Sequence, residues 1–235
     1  MIRRVAVIIP AANEEQRIGR CLAAVAAARR HLHHSSPGIA ARTVVVLDGC
    51  HDGTAVIAAA SAEVQTVAVT AGSAGGARRA GASAALAGAG RPSELWLAST
   101  DADSQVPATW LTGMLAEAGR GAHLVLGTVV PSPDLELRAR AEWLRRHHLR
   151  EGHPHVHGAN FGIRGDAYLG LGGWPALVTG EDTELARRAT RTGHLRICRT
   201  ASIPVVTSVR RNSRAPDGFA GYLRQLAPPP AEATA

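Results

Sequence analysis

Leu95-Trp96-Leu97-Ala98-Ser99-Thr100-Asp101-Ala102-Asp103-Ser104 decides how this chain is read. An apolar, strand-like run ends in two aspartates separated by one small residue. Carboxylates at the C-terminal end of a strand lie where open α/β sheets bind ligands. Hard oxygen donors suit Mg²⁺ or Mn²⁺, which usually also bind substrate phosphates. Asp-x-Asp is common by chance, so its weight comes from its surroundings.

Upstream, short runs rich in β-branched residues alternate with helical patterns. Val5–Ile9, Thr43–Leu47 and Val64–Val69 read as buried strands before the fourth at Leu95–Ala98. Helices are expected over Ile18–Arg30, Thr54–Ala62 and Ala77–Ala87, with loops at His33–Gly38 and Gly72–Gly76. Such alternation predicts parallel βαβ units, with the loops after the strands gathered on one sheet edge. The second half is less regular. Helices are expected at Pro107–Ala118, Leu135–Leu149, Ala167–Leu171, Gly180–Thr192 and Phe219–Leu226, and strands at Leu124–Val130, within His153–Ile163 and at Ile203–Val209. The segment from Pro228 onward reads as a disordered tail.

The bulk properties narrow the class. The 235 residues fit one large α/β domain or two intimate lobes. Hydrophobic residues make up 46% and aromatics only 3%, so the core is mainly Ala, Val, Leu and Ile. All 26 basic residues are arginine, and the net charge is +7. They are scattered, with few aromatics between them for base stacking, so nucleic acid is not the expected partner. A basic surface still suits phosphorylated substrates or peripheral contact with an anionic membrane. The three cysteines Cys21, Cys50 and Cys198 form no CxxC pair; a reducing cytoplasm is the expected compartment. No apolar run approaches the roughly 18 residues of a membrane span.

Each loop has a structural alternative to a functional role. Pro10-Ala11-Ala12-Asn13-Glu14-Glu15 is either a strand-to-helix turn or part of a nucleotide pocket. In Asp48-Gly49-Cys50-His51-Asp52-Gly53-Thr54, Asp48 suits a base or ribose hydrogen bond, whereas Asp52 with Thr54 suits turn and cap chemistry. Gly72–Gly81 combines small residues with a helix start, which favours phosphate, and places Arg78 within reach of a nucleotide. Glu181-Asp182 either caps a helix or supplies a general base at a loop–helix junction. His153, His155 and His157 alternate beside His147 and His148. Zinc is the weaker reading there, because Pro154 interrupts the geometry and no cysteine is near.

In order, VAVIIPAANEE, VVVLDGCHDGT, GGARRAG, STDADS, GANFGIRGDAYLGLGGWP and GEDTELARR resemble the GT-A glycosyltransferases of family 2, from about Val5 to Arg188. The resemblance implies an α/β, GT-A (Rossmann-like) fold: a mostly parallel central sheet flanked by helices. One compact domain would span residues 1–226, with a nucleotide-binding half to about residue 104 and an acceptor half from 105 to 226. It implies that Pro10, Ala11, Glu14, Asp48, Arg78 and Asp101 line the donor nucleotide and that Asp103 binds Mg²⁺ or Mn²⁺ on its diphosphate. Asp182 is then the base, Glu181 its neighbour, and His157 and Trp174 line the acceptor or sugar pocket. The partners implied are a nucleotide-sugar donor and a hydroxyl acceptor, and the usual outcome is inversion.

Three departures stand out. Leu47 replaces an acidic residue that many relatives carry before Asp48, Val205–Arg211 contains no histidine to complete the metal site, and the chain ends soon after the core. The last points to single-sugar transfer without membrane helices. A sugar nucleotidyltransferase is the nearest alternative enzyme, but the loop after the first strand is acidic and poor in donors. A non-catalytic nucleotide-sugar-binding protein is the second alternative.

Overall fold

In the computed structural model, which describes residues 1–88, 90–147 and 149–210, the apolar runs become β1 (Arg4–Ala11), β2 (Ala40–Asp48), β3 (Val64–Val69) and β4 (Leu95–Ser99). β1 pairs in parallel with both β2 and β4, and β2 with β3. Val5, Val7 and Ile9 face one helical layer; Ala6 and Ile8 face the other. Burial on both faces is why these strands read as continuous apolar runs instead of alternating ones.

α1 (Ile18–Ser35), α2 (Thr54–Ala60) and α4 (Trp110–Gly119) cover the first face. Ile18, Cys21, Leu22, Val25, Ala28 and Leu32 of α1 recur at helical spacing on its buried side. α3 (Ala74–Leu86), α6 (Gly165–Gly170) and α7 (Glu181–Thr192) cover the other face. α5 (Leu137–Arg146) lies outside these layers; its Trp143 packs with Val130, Leu135, Leu149 and Val209.

Beyond β4 the sheet changes character. β6 (Leu124–Pro131), β7 (Phe161–Arg164) and β8 (Ile197–Thr207) extend it, and the two-residue β5 (Ser104–Gln105) closes the edge, in the order β3-β2-β1-β4-β7-β6-β8-β5. β7 runs antiparallel to β4 and β6, β5 antiparallel to β8, and β6 parallel to β8. The sheet is therefore parallel through the first half and mixed in the second.

Several boundaries differ from the sequence reading. α1 runs through the first half of the expected loop at 33–38, and β8 begins at Ile197, not Ile203. α3 begins at Ala74, not Ala77, because the Ser73 hydroxyl accepts from the Gly76 amide at 3.1 Å and caps the first turn. The expected helix at 219–226, the tail and His148 lie outside the described residues. Among those described, no helix is long and apolar enough to cross a membrane.

One buried amide ties the mixed half together. Asn160 donates to the carbonyls of Thr128 and Ile203, each at 2.8 Å, and accepts from the Trp110 indole at 2.9 Å. It does so beside the register shift between β6 and β8, where a Cβ on Gly127 would overlap the Asn160 side chain. Replacing Asn160 with Leu strands these buried partners, each costing about 1–3 kcal/mol. We expect Asn160→Leu to lower the urea midpoint by the equivalent of about 3 kcal/mol or more, and an unchanged midpoint would remove Asn160 from the stabilising network.

Candidate active site

The C-terminal ends of β1, β2 and β4 carry the first site residues. Pro10 and Ala11 close β1, and Asp48 closes β2. A buried Asp48 carboxylate accepts from the Gly72 amide at 3.0 Å, so it already ties the β2 end to the turn that opens α3. Glu14 starts the turn into α1: its amide donates to Thr54 Oγ1 at 2.7 Å, and its carbonyl accepts from the Ile18 amide at 2.8 Å. Asp52 accepts from the Thr54 amide at 3.0 Å and from the Glu15 amide at 3.1 Å. It ties the turn before α2, as expected of a turn residue, while the cap position itself falls to Gly53, which makes no side-chain capping bond.

Arg78 is the hub. Reaching from α3 and only 3% exposed, its Nε donates to Ser99 Oγ at 3.0 Å, its Nη1 to Glu181 and its Nη2 to Asp101. Burial works against the guanidinium's charge, but Asp101, Glu181 and Asp182 outweigh it and hold its pKa above the ordinary value. Burial pushes the Glu181 carboxyl up, with Arg78 opposing. The approach needs a bare backbone at Gly75, where a Cβ would overlap the Pro175 carbonyl and crowd Glu181.

Glu181 thus bonds Arg78 directly, while its neighbour Asp182 is held beside the same cluster by backbone amides. Asp182 Oδ2 accepts from the Gly158 amide and Oδ1 from the Thr183 amide, both at 2.6 Å. These bonds fix a half-buried carboxylate at the first turn of α7. His157 precedes Gly158 and joins a run of rings: Trp143 stacks on His147 at 4.3 Å, His147 meets His155 at 5.1 Å, and His155 meets His157 at 5.9 Å. His153 stacks on His155, and its Nε2 lies 3.2 Å from the carbonyls of Leu126 and Thr200. The rings lie over one another instead of converging on a point. Burial pushes the His157 imidazole down to about 4, against the pull of Asp182 and with help from His155, His153 and His147.

Trp174 corrects an expectation. It is 0% exposed and packs at 5.7 Å from Phe161 and 5.1 Å from Tyr168, so it presents no surface to a ligand. Its role is to fill the core beneath α7.

Asp103 lies where the short β5 pairs with the end of β8. Ser208 Oγ donates to its Oδ2 at 2.6 Å, and Arg210 Nε sits 3.1 Å from the same oxygen. Arg210 Nη1 also reaches Glu14 Oε1. Burial pushes the Glu14 carboxyl up, with Arg210 opposing, and its second oxygen, Oε2, is buried without a hydrogen-bond partner. Sequence reasoning missed Arg210. Its partners are remote, Glu14 lying 196 positions away, and in a chain so rich in arginine no local signal marks it.

The donor set fits a hard divalent ion. Mg²⁺ and Mn²⁺ take carboxylate oxygens and complete their shells with waters and substrate phosphates. Among the described residues no group of three or more His, Cys, Asp or Glu side chains could hold a metal.

Two consequences can be measured. Arg78→Met leaves Asp101 and Glu181 without their cation, and removing one member of a buried ion pair costs about 3–5 kcal/mol. We expect a matching drop in unfolding free energy, partly restored in the Arg78→Met/Glu181→Gln double variant; full additivity would sink the coupling. For His157, a folded pKa near 4 lies below the ordinary 6.5. The unfolded state then binds more protons between those values, so this contribution to stability is complete above pH 6.5 and is lost as pH falls toward 4. The melting temperature of the wild-type chain should fall more steeply over that window than that of His157→Asn.

Comparison with known proteins gives this geometry a context. The chain matches the solved structure of S. aureus TarS 1-349 with a TM-score of 0.59 at 13% identity, covering 95% of this chain and 69% of that one. Mannosyltransferase PcManGT from Pyrobaculum calidifontis, in complex with GDP-Man and Mn²⁺, matches with a TM-score of 0.63 at 21% identity, over 91% of this chain and 59% of that one. M. tuberculosis glucosyl-3-phosphoglycerate synthase, in complex with Mn²⁺, UDP and glucosyl-3-phosphoglycerate, gives a TM-score of 0.53 at 21% identity, over 95% and 77%. Of a longer S. aureus TarS chain this one spans 39%. At these identities the likeness shows the fold. No curated protein matches the chain. A family model described as Glycosyl transferase family 2 matches residues 6–168, most of the chain, which therefore belongs to glycosyl transferase family 2.

Proposed function

We propose that the chain transfers a sugar from a nucleoside-diphosphate sugar to an acceptor hydroxyl, with inversion at the anomeric carbon. The observation that carries this reading is the buried Arg78 bridge, which joins Asp101 of the Asp-x-Asp element to Glu181 beside Asp182. One guanidinium thereby fixes a nucleotide-side carboxylate relative to an acceptor-side carboxylate.

In this reading Pro10, Ala11, Glu14 and Asp48 shape the nucleotide pocket, Asp101 orients the ribose, and Arg78 holds Asp101 in place. Asp103 holds Mg²⁺ or Mn²⁺, whose bound charge offsets that growing on the departing diphosphate. The Mn²⁺ and nucleotide of the two metal-complexed structures described above support this assignment. Asp182 takes the acceptor's proton as the hydroxyl oxygen attacks the anomeric carbon and the bond to the diphosphate breaks. The Gly158 and Thr183 amides aim its oxygens. His157, kept neutral by its surroundings, lines the acceptor side without adding a cation beside the base. Glu181 positions, through Arg78, instead of touching the acceptor.

Three free cysteines support a reducing, cytoplasmic setting. Peripheral membrane contact would fall on α5, where Leu137 and Leu144 are exposed among Arg138, Arg145 and Arg146. The acceptor is a hydroxyl compound, soluble or at a membrane surface.

The test is a panel of nucleotide sugars with Mn²⁺ or Mg²⁺, read by thermal shift and by nucleoside-diphosphate release. Asp182→Asn should lower kcat by about 10²–10⁴-fold while leaving donor binding intact. Turnover at the wild-type rate would dismiss Asp182 as the base, and a panel with neither binding nor release would dismiss the donor class.

A further inference from the structure

Arg210 holds a position that calls for a cation and leaves room for an anion. Its guanidinium spans Glu14 and Asp103, two carboxylates that would otherwise face each other in a confined space. Neither Glu14, 6% exposed, nor Asp103, with an 8% exposed side chain, is well solvated. Arg210 is different: 29% of its side chain is exposed. It also lines an open cavity of about 320 Å³ with Arg17, Arg20, Ser132, Ser208 and Asp103. Three guanidiniums, the hydroxyls of Ser104, Ser132, Thr207 and Ser208 and a second carboxylate, Asp134, therefore border one space, and that space opens onto the proposed metal carboxylate.

We propose that Arg210 is a diphosphate-binding residue that rests on Glu14 and Asp103 until the donor arrives. This rests on the nucleotide-sugar reading above. On donor binding the guanidinium exchanges these carboxylates for phosphate oxygens. The planar fork of arginine suits that exchange, because phosphate and carboxylate both accept its paired N–H donors. Departure of Arg210 uncovers Asp103 Oδ2, which keeps the Ser208 hydroxyl bond and becomes available to a divalent ion. Free metal and Arg210 therefore compete for one carboxylate, whereas metal arriving with a diphosphate does not meet that competition. Divalent ion and nucleotide should enter as a pair. Glu14 Oε2, buried without a hydrogen-bond partner, keeps an ion pair with Arg17 Nη1 at 3.8 Å, so Glu14 retains a cation when Arg210 leaves.

Calorimetric titration of the full chain with UDP and GDP, in EDTA and in Mn²⁺, tests the proposal. Electron paramagnetic resonance of Mn²⁺ alone supplies a readout independent of nucleotide and turnover. For the wild type, nucleoside diphosphate should bind even in EDTA, and Mn²⁺ alone should bind weakly. Arg210→Gln should weaken nucleoside-diphosphate binding in EDTA by about ten- to a hundredfold, the worth of a charged hydrogen-bonded contact. The same change should tighten Mn²⁺ binding in the absence of nucleotide. Arg210→Lys keeps the positive charge between Glu14 and Asp103, and thus the fold, but loses the fork; it should show the same nucleotide effect in smaller degree. Unchanged nucleotide affinity in both variants, with wild-type binding intact, overturns the role of Arg210 alone. Absence of nucleotide binding by the wild type under every condition overturns the donor reading and this proposal with it.

Discussion

A guanidinium with almost no access to water is the constraint on which the rest of the site depends. Arg78 reaches from α3 and meets Ser99 at the end of β4, Asp101 in the loop that follows and Glu181 at the start of α7. A buried charge is tolerated only when paired and hydrogen-bonded. Each partner is thus held as firmly as Arg78 itself. Two of these elements carry the carboxylates Asp101 and Glu181, so their separation is set by one side chain. Sheet pairing places β4, the cap at Ser73 starts α3, and the bare backbone at Gly75 lets α3 approach the segment before α7.

How much of this was legible depended on the kind of interaction. Parallel strands buried on both faces leave continuous β-branched runs, so β1 to β4 and their loops could be read directly. The second half hides its topology. β5 has two residues and no periodicity, β7 enters antiparallel between β4 and β6, and the β6–β8 pairing shifts register beside Asn160. Asp101, Asp103, Glu181 and Asp182 were visible because their acidic pairs fall where an apolar strand ends or a helix begins, within an ordered series of loops. Arg210 was invisible because no local signal marks it in a chain so rich in arginine. For Trp174 the family resemblance implied a pocket wall; in space the ring turns inward onto Phe161 and Tyr168.

The histidine rings bear on the proposed base through charge. A cationic imidazole beside Asp182 would stabilise its carboxylate and weaken it as a proton acceptor. Enclosure by neighbouring rings favours the neutral form of His157, down to about pH 4. Stacking from Trp143 through His147 and His155 therefore does more than fill space next to α5. It keeps a polar, uncharged wall beside the carboxylate, and the Gly158 amide that follows His157 holds that carboxylate in place.

Arg78, Arg210 and Arg17 neutralise the acidic cluster, and the first two differ in their surroundings. Arg78 has three side-chain partners on three elements and no route to solvent, so moving it would expose two uncompensated carboxylates at once. Arg210 sits beyond the end of β8, borders an open cavity and contacts two carboxylates that a phosphate-bound metal and the nucleotide could satisfy in its place. The cost of leaving is therefore high for Arg78 and compensated for Arg210. Arg78 thus keeps the acidic residues in register, and Arg210 keeps Glu14 and Asp103 from repelling each other.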